Sequence, residues 1–123
     1  MNECPVLMLR EAWEERGILY MCSEYCDLGN INDYISKREQ SLVEVQLQEP
    51  KLKRTSSLLV KSSSGVPMIR EHKIWQILSE MAKCILHVHA HGIVHLDIKP
   101  SNFLITDQHQ FKLTDFGVSI DLQ

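Results

Sequence analysis

Four polar side chains near the end of the sequence have the types and spacing that phosphoryl transfer requires. Asp97 and Lys99 are followed by Asn102, and Asp115 comes eighteen residues after Asp97. One carboxylate can orient an accepting hydroxyl and take its proton, while a lysine contacts the transferring phosphate. An amide oxygen and a second carboxylate are hard ligands of the kind that Mg²⁺ prefers. The pattern predicts transfer of the terminal phosphoryl group of ATP, with Asp97 and Lys99 catalytic and Asn102 and Asp115 as metal ligands.

The residues between these groups fit the same chemistry. Pro100 stiffens the first loop through its fixed dihedral. Gly117 lets the chain turn sharply after Phe116, which can anchor that turn in the core. A lone His-x-Asp or Asp-Phe-Gly occurs by chance, so neither motif alone would support a site. The weight comes from both motifs standing at fixed spacing across one predicted hairpin.

A long helix and a hairpin are the elements that must position these residues. The apolar side chains in residues 71–91 recur at helical steps and form one stripe: Ile74, Ile77, Leu78, Met81, Ile85 and Val88. Gly92 is suited to end this helix, and a short buried segment, 93–94, follows. Residues 103–105 and 111–113 flank a turn and predict two paired strands. Asp97 then lies between the helix and the hairpin, and Asp115 lies where the hairpin ends.

The first part of the sequence predicts a second hairpin and a loop. Residues 6–13 and 18–22 are apolar runs separated by a turn, and a short helix over about 31–37 follows. Residues 38–69 are serine-rich and lack a sustained period, which predicts a mobile surface loop or an insertion. Basic residues precede Thr55 in this stretch and could mark a phosphorylation site. A solvated charge cluster is the favoured interpretation.

Length and composition exclude several classes of protein. The chain has 123 residues, a net charge of −3 and 44% hydrophobic residues, which is typical of one small globular domain without generic affinity for nucleic acid. No apolar run is long enough to cross a bilayer, and the N-terminus lacks the features of a secretory signal. Four cysteines without a regular framework suit reduced thiols inside the cell, in the nucleus or cytoplasm.

The two motifs, residues 95–102 and 114–117, resemble the catalytic loop and metal-binding turn of protein kinases. The finer resemblance is to the Wee family, which inhibits cyclin-dependent kinases by tyrosine phosphorylation. It rests on residues 11–15, 24–26, 74–78 and 95–97. The resemblance implies an α+β, two-lobed protein-kinase-like fold that is incomplete. Residues 1–26 would be the last small-lobe strands and hinge, and residues 27–123 the start of the large lobe, with the 38–69 insertion.

The resemblance also implies roles for individual residues. Ser23 would be the gatekeeper beside the adenine pocket, the backbone of Glu24 to Cys26 would bind adenine, and Leu104 would pack under the ring. His95 and Phe116 would stack in a hydrophobic spine. ATP and Mg²⁺ would be the cofactors, and the protein substrate would be a cyclin-dependent kinase.

Two departures from the kinase pattern carry expectations of their own. Leu96 replaces the arginine that pairs with an activation-loop phosphate, so activation by loop phosphorylation is not expected; Wee-type kinases share this departure. The phosphate-covering loop, its lysine, the activation segment and the central helix of the large lobe, which would pack on the apolar stripe, are absent from the sequence. We therefore expect the chain alone to be inactive, and the stripe of the 71–91 helix to leave an apolar surface exposed.

Three alternatives stay open at this point. His87 and His91 are one helical turn apart, a spacing used by zinc sites, although structural histidines are favoured. The chain could also be a non-catalytic interaction module or an incomplete gene product. Cys22 and Cys26 are interpreted as packed thiols, and Trp13 and Trp75 as core or interface anchors.

Overall fold

The computed structural model describes residues 4–37, 59–61 and 67–123. Helices and strands are mixed along the chain, so the fold class is α+β, as predicted. The elements in chain order are β1 (Leu9–Glu15), β2 (Ile18–Ser23), α1 (31–37), β3 (Leu59–Lys61), β4 (Pro67–Ile69), α2 (Glu71–Ala90), β5 (Ile93–Val94), a 3₁₀ turn (Pro100–Asn102), β6 (Phe103–Ile105), β7 (Phe111–Leu113) and β8 (Ile120–Asp121).

Strands β1 and β2 form an antiparallel ribbon that is exposed along its whole length. Arg16 and Gly17 join them with φ values of 53° and 75°, the left-handed pair that suits a two-residue hairpin turn. The Trp13 and Tyr20 rings stack with centroids 5.3 Å apart. The predicted first strand began at Val6, but β1 begins at Leu9. Val6 forms a parallel bridge to Leu113 instead, because the backbone before β1 bonds to β7.

The core lies around the β6–β7 hairpin, which extends on both sides. Residues 28–30 pair with β6, since Ile105 N–H donates to the Gly29 carbonyl at 2.8 Å. Residues 5–7 pair with β7 on the other side, where Leu113 N–H donates to the Pro5 carbonyl at 2.8 Å. Phe103 and Leu113 have no exposed surface and Ile105 has 1%. The hairpin that carries the candidate site is therefore the best-packed part of the described chain.

Helix α2 packs on this hairpin, but only some of the apolar side chains in its predicted stripe contact the core. Cys84 and Val88 are buried, and Ile77 is partly buried against the core. Ile74 and Leu78 are 43% and 46% exposed. The apolar surface expected on this helix is thus present in the structure.

The helix ends at Ala90, one residue before the predicted end, and Gly92 follows with φ of 73°. After it, β5 pairs with β8, a contact that the sequence pattern did not predict.

One expectation for residues 38–69 is wrong in part. Strands β3 and β4 pair within this range, so the stretch is not a loop throughout. Residues 38–58 and 62–66, including the basic cluster before Thr55, lie outside the described residues. No helix among the described residues has both the length and the apolar character to span a bilayer.

Candidate functional site

Three of the predicted polar side chains meet in the loop between β5 and β6. Lys99 Nζ donates to Asp97 Oδ2 at 2.7 Å, and Asn102 Nδ2 donates to the same oxygen at 3.1 Å. Asn102 Nδ2 also donates to the Asp97 backbone carbonyl at 2.9 Å. The 3₁₀ turn that begins at Pro100 directs the buried Asn102 back to Asp97. A carboxylate, an ammonium group and an amide therefore share one hydrogen-bonded cluster.

The charges in this cluster keep both ionised groups in their charged forms. The hydrogen bond from Lys99 is the main cause that holds the pKa of Asp97 below its ordinary value of 3.8, and Asn102 adds to it. The same bond raises the pKa of Lys99, and the charge of Asp115 contributes to that rise.

Hydrogen bonds through Thr114 hold the turn that carries Asp115 against this loop. His95 Nε2–H donates to the Thr114 carbonyl at 2.8 Å, and Thr114 N–H donates to the Asn102 carbonyl at 3.0 Å. His95 Nδ1 accepts the Asp97 N–H at 3.2 Å, so both ring nitrogens of this buried histidine are used. Its ring also meets Phe116 edge-on, with centroids 4.8 Å apart. One histidine thus ties the two predicted motifs together.

Two residues of the site have a backbone conformation that is unfavourable for ordinary side chains. Leu96 and Asp115 both have φ of 65°, in the left-handed region that non-glycine residues seldom occupy. Such conformations persist only where surrounding contacts determine them, and they concentrate at functional sites. Here the bonds of the neighbouring His95 and Thr114 supply those contacts. Leu96 itself is 57% exposed.

The residues expected at the adenine end lie where β2 ends and beside β6. Ser23 Oγ donates to the Glu24 carbonyl at 3.1 Å, which leaves that carbonyl's second lone pair for another donor. The Cys26 side chain is buried, and its carbonyl accepts the Gly29 N–H at 3.1 Å. Leu104 forms a bridge with Asn30. The adenine-end residues and the Asp97 cluster are therefore connected through β6, whose first residue directly follows Asn102.

A pocket of ≈ 270 Å³ opens where β2 ends. Ser23 and Glu24 line it together with Thr106 and Gln110. None of the four polar residues predicted for catalysis and metal binding lines this pocket. It is consequently distinct from the Asp97 cluster.

The donor set fits a magnesium–nucleotide group. Both hydrogen bonds of the Asn102 side chain use Nδ2, so Oδ1 is the atom able to coordinate a metal. Asn102 Oδ1 and the Asp115 carboxylate are oxygen ligands of the kind that suits Mg²⁺. Lys99 uses one of its three ammonium protons on Asp97, and the others can contact phosphate.

The histidine alternative receives limited geometric support. The rings of His87 and His91 lie 4.7 Å apart by centroid, and His91 Nδ1 bonds the His87 carbonyl at 2.8 Å. Cys4 Sγ lies 3.8 Å from His87 Nε2. Across residues 4–37, 59–61 and 67–123, no group of three or more histidine, cysteine or acidic side chains converges as metal ligands would.

The expectations for the cysteines and tryptophans need correction. Cys26 is packed, but Cys22 is exposed because the whole β1–β2 ribbon is uncovered. Trp13 and Trp75 are 44% and 65% exposed, so neither is a core anchor, and the alternative that they are interface anchors stays a prediction. Trp75 Nε1 instead donates to Glu71 on the helix surface at 3.4 Å.

One charged pair near the site escaped the sequence analysis. Lys112 is buried on β7, and its Nζ lies 3.4 Å from Glu24 Oε1. Successive side chains of a strand point to opposite faces, so Lys112 should lie on the face of β7 away from Phe111 and Leu113. This alternation predicts a solvent-facing lysine. The only sequence indication was the unusual position of a lysine within a short apolar strand.

Comparisons with known proteins indicate the family of the chain. The profile of the family described as "Protein kinase domain" matches residues 1–123. A probable protein kinase of Dictyostelium discoideum is 35% identical over 107 residues, which cover 87% of this chain and 24% of that protein.

Two further relatives have names that refer to cell-cycle inhibition. The mitosis inhibitor protein kinase wee1 of Schizosaccharomyces pombe is 27% identical over 93% of this chain and 10% of its own length. The membrane-associated tyrosine- and threonine-specific cdc2-inhibitory kinase wee-1.3 of Caenorhabditis elegans is 30% identical over 91% of this chain and 12% of its own length. The chain thus spans about a quarter or less of these curated relatives.

Proposed function

We propose that this chain, which belongs to the protein kinase family, carries the catalytic loop and metal-binding turn for phosphoryl transfer from ATP to a protein hydroxyl. The observation that carries the proposal is the Asp97–Lys99–Asn102 cluster, tied through Thr114 to the turn that holds Asp115. The family match supplies the cofactor class, ATP with Mg²⁺.

Each side chain of the cluster has a distinct task in this proposal. Lys99 and Asn102 orient the ionised side chain of Asp97. Asp97 accepts the proton of the substrate hydroxyl while the hydroxyl oxygen forms a bond to the terminal phosphorus of ATP. The bond from that phosphorus to the ADP oxygen breaks. Lys99 contacts the transferring phosphate, and Asn102 and Asp115 hold Mg²⁺, which neutralises phosphate charge when bound.

The adenine end of the nucleotide belongs to the segment after β2. The backbone of Glu24 to Cys26 would bind the adenine edge, Ser23 would stand beside the ring, and Leu104 would pack under it. The pairing of residues 28–30 with β6 supports this assignment. It holds the chain just after Cys26 beside β6, the strand that contains Leu104 and directly follows Asn102.

The proposed substrate is a tyrosine of a cyclin-dependent kinase. The similarity to two relatives named as a mitosis inhibitor and as a tyrosine- and threonine-specific cdc2-inhibitory kinase supports it. The acceptor is tested in a chimaera that joins this chain to the phosphate-covering loop, its lysine and the activation segment of a related kinase, because the chain alone is expected to be inactive. Mass spectrometry of a cyclin-dependent kinase treated with the chimaera and Mg-ATP should show phosphotyrosine, and phosphoserine or phosphothreonine alone contradicts the proposal.

Substitution of Asp97 tests the catalytic assignment. In the same chimaera, we expect Asp97→Asn to abolish phosphoryl transfer and to leave binding of Mg-ATP within about twofold, because Asp97 acts on the hydroxyl rather than on the nucleotide. Asp115→Asn should weaken Mg-ATP but not metal-free ATP. Calorimetric titration and a radiolabel transfer assay measure the two effects. Transfer that survives Asp97→Asn would overturn the assignment.

A non-catalytic interaction module is the second candidate. The exposed apolar ribbon, where Leu19 and Met21 are 65% and 70% exposed, favours it, since large apolar patches often mark contact surfaces. The proposal that the chain alone is inactive is compatible with both candidates. Transfer by the purified chain that depends on Asp97 would reject the second.

A further inference from the structure

An ion pair between the buried Lys112 and the partly buried Glu24 connects the segment after β2 with the strand that leads to Asp115. The side chain of Lys112 is 3% exposed and that of Glu24 is 17% exposed, with Nζ and Oε1 separated by 3.4 Å. Two charges removed from water are costly unless each is satisfied. Here the backbone of residues 4–8 forms hydrogen bonds with both charged groups.

The backbone of residues 4–8 runs between the two charged groups and bonds to both. Lys112 Nζ donates to the Cys4 carbonyl at 2.8 Å. Glu24 Oε1 accepts the Met8 N–H at 2.8 Å, and Glu24 N–H donates to the Met8 carbonyl at 3.0 Å. Leu7 N–H donates to the Leu113 carbonyl at 2.9 Å. The pair and this segment therefore form one connection between the end of β2 and β7.

The two ends of this connection are the two ends of the proposed nucleotide site. Glu24 begins the segment assigned to adenine. Lys112 stands two residues before Thr114, whose backbone bonds His95 and Asn102. A change at the pair would thus alter the spacing between the adenine segment and the metal-binding turn. Lys112 would affect the nucleotide through these two segments and not by direct contact.

We propose that Lys112 is a positioning residue for nucleotide binding, and that its ion pair with Glu24 sets the distance between the adenine segment and the Asp115 turn. The inference rests on the proposed function, because that function assigns those two segments to the nucleotide. A ligand that spans both segments should depend on the pair. A ligand that occupies one of them should not.

Three ligands separate positioning from general support of the fold. The full chain is titrated with Mg-ATP, with adenosine and with Mg-tripolyphosphate. We expect Lys112→Met to weaken Mg-ATP by about three- to tenfold, the usual range for indirect coupling, and each short ligand by less than about twofold. Lys112→Arg keeps the charge and should restore Mg-ATP affinity.

Controls distinguish the remaining outcomes. Lys83→Met removes an exposed lysine that pairs with Glu80 on α2 and should change none of the affinities. If Lys112→Met fails to fold by circular dichroism, the double variant Glu24→Met with Lys112→Met removes both charges and should show the same selective loss.

Equal weakening of all three ligands, or of none, overturns the positioning role while the nucleotide site stands. A wild-type chain that binds none of them overturns the proposed site itself, and the inference with it.

Discussion

At the scale of single residues, a contact between opposite charges orients the catalytic-loop side chains Asp97 and Lys99. Lys99 lowers the pKa of Asp97 mainly through their hydrogen bond. Lys99→Met should therefore raise the pKa of Asp97 toward its ordinary value, and a carbon-13 NMR titration of the carboxyl measures it. Lys83→Met is the matched control and should leave the titration unchanged. An Asp97 pKa that stays low in Lys99→Met would show that another group holds it.

The sign of the accompanying pH effect follows from the lowered pKa. The contact with Lys99 favours ionised Asp97, so it stabilises the folded chain above the ordinary carboxyl pKa of 3.8. That contribution is lost as the pH falls through the lowered pKa of the folded state. Because both side chains are accessible, the effect on the free energy of unfolding should be small.

Residue spacing predicted this cluster but could not predict the Lys112–Glu24 pair. Asp97, Lys99 and Asn102 lie within six positions, so a single loop conformation brings them together. Glu24 and Lys112 are far apart in sequence and meet only because residues 4–8 run between β2 and β7. Strand alternation predicts that Lys112 faces solvent, whereas its Nζ donates to the Cys4 carbonyl of the added backbone segment.

At the scale of elements, the two hairpins differ in burial although their sequences look alike. Ile105 on β6 is 1% exposed, while Ile18 on β2 is 55% exposed. Ile105→Val should lower the free energy of unfolding by about 1 kcal/mol, because it leaves a cavity in a packed core. Ile18→Val removes the same methylene group and should change it by less than about 0.5 kcal/mol.

Urea denaturation of both variants measures the difference. Equal losses would mean that the β1–β2 ribbon is covered in solution.

Local periodicity explains which elements were predictable. Both hairpins, α1 and α2 follow from alternation, turn residues and the helical stripe. The pairing of β5 with β8 and the addition of residues 5–7 to β7 depend on contacts between distant segments. Two-residue and three-residue strands carry too little pattern to reveal such partners.

At the scale of the whole molecule, apolar surface is left uncovered on two separate elements. Leu19 and Met21 are exposed on the ribbon, and Trp75 and Leu86 are 65% and 71% exposed on α2. A two-stranded ribbon without a covered face is only marginally stable in water. Exposed apolar patches of this kind also promote self-association.

We therefore expect the purified chain to unfold over a broad temperature range and to associate as its concentration rises. Calorimetry and analytical ultracentrifugation measure the two properties. Leu19→Lys with Leu86→Lys should reduce the association without changing the helix content, because neither side chain packs in the core. A sharp cooperative transition of a monomeric wild-type chain would contradict this expectation. It would show that the hairpin core of β6 and β7, with α2 across it, is sufficient to hold the ribbon in place.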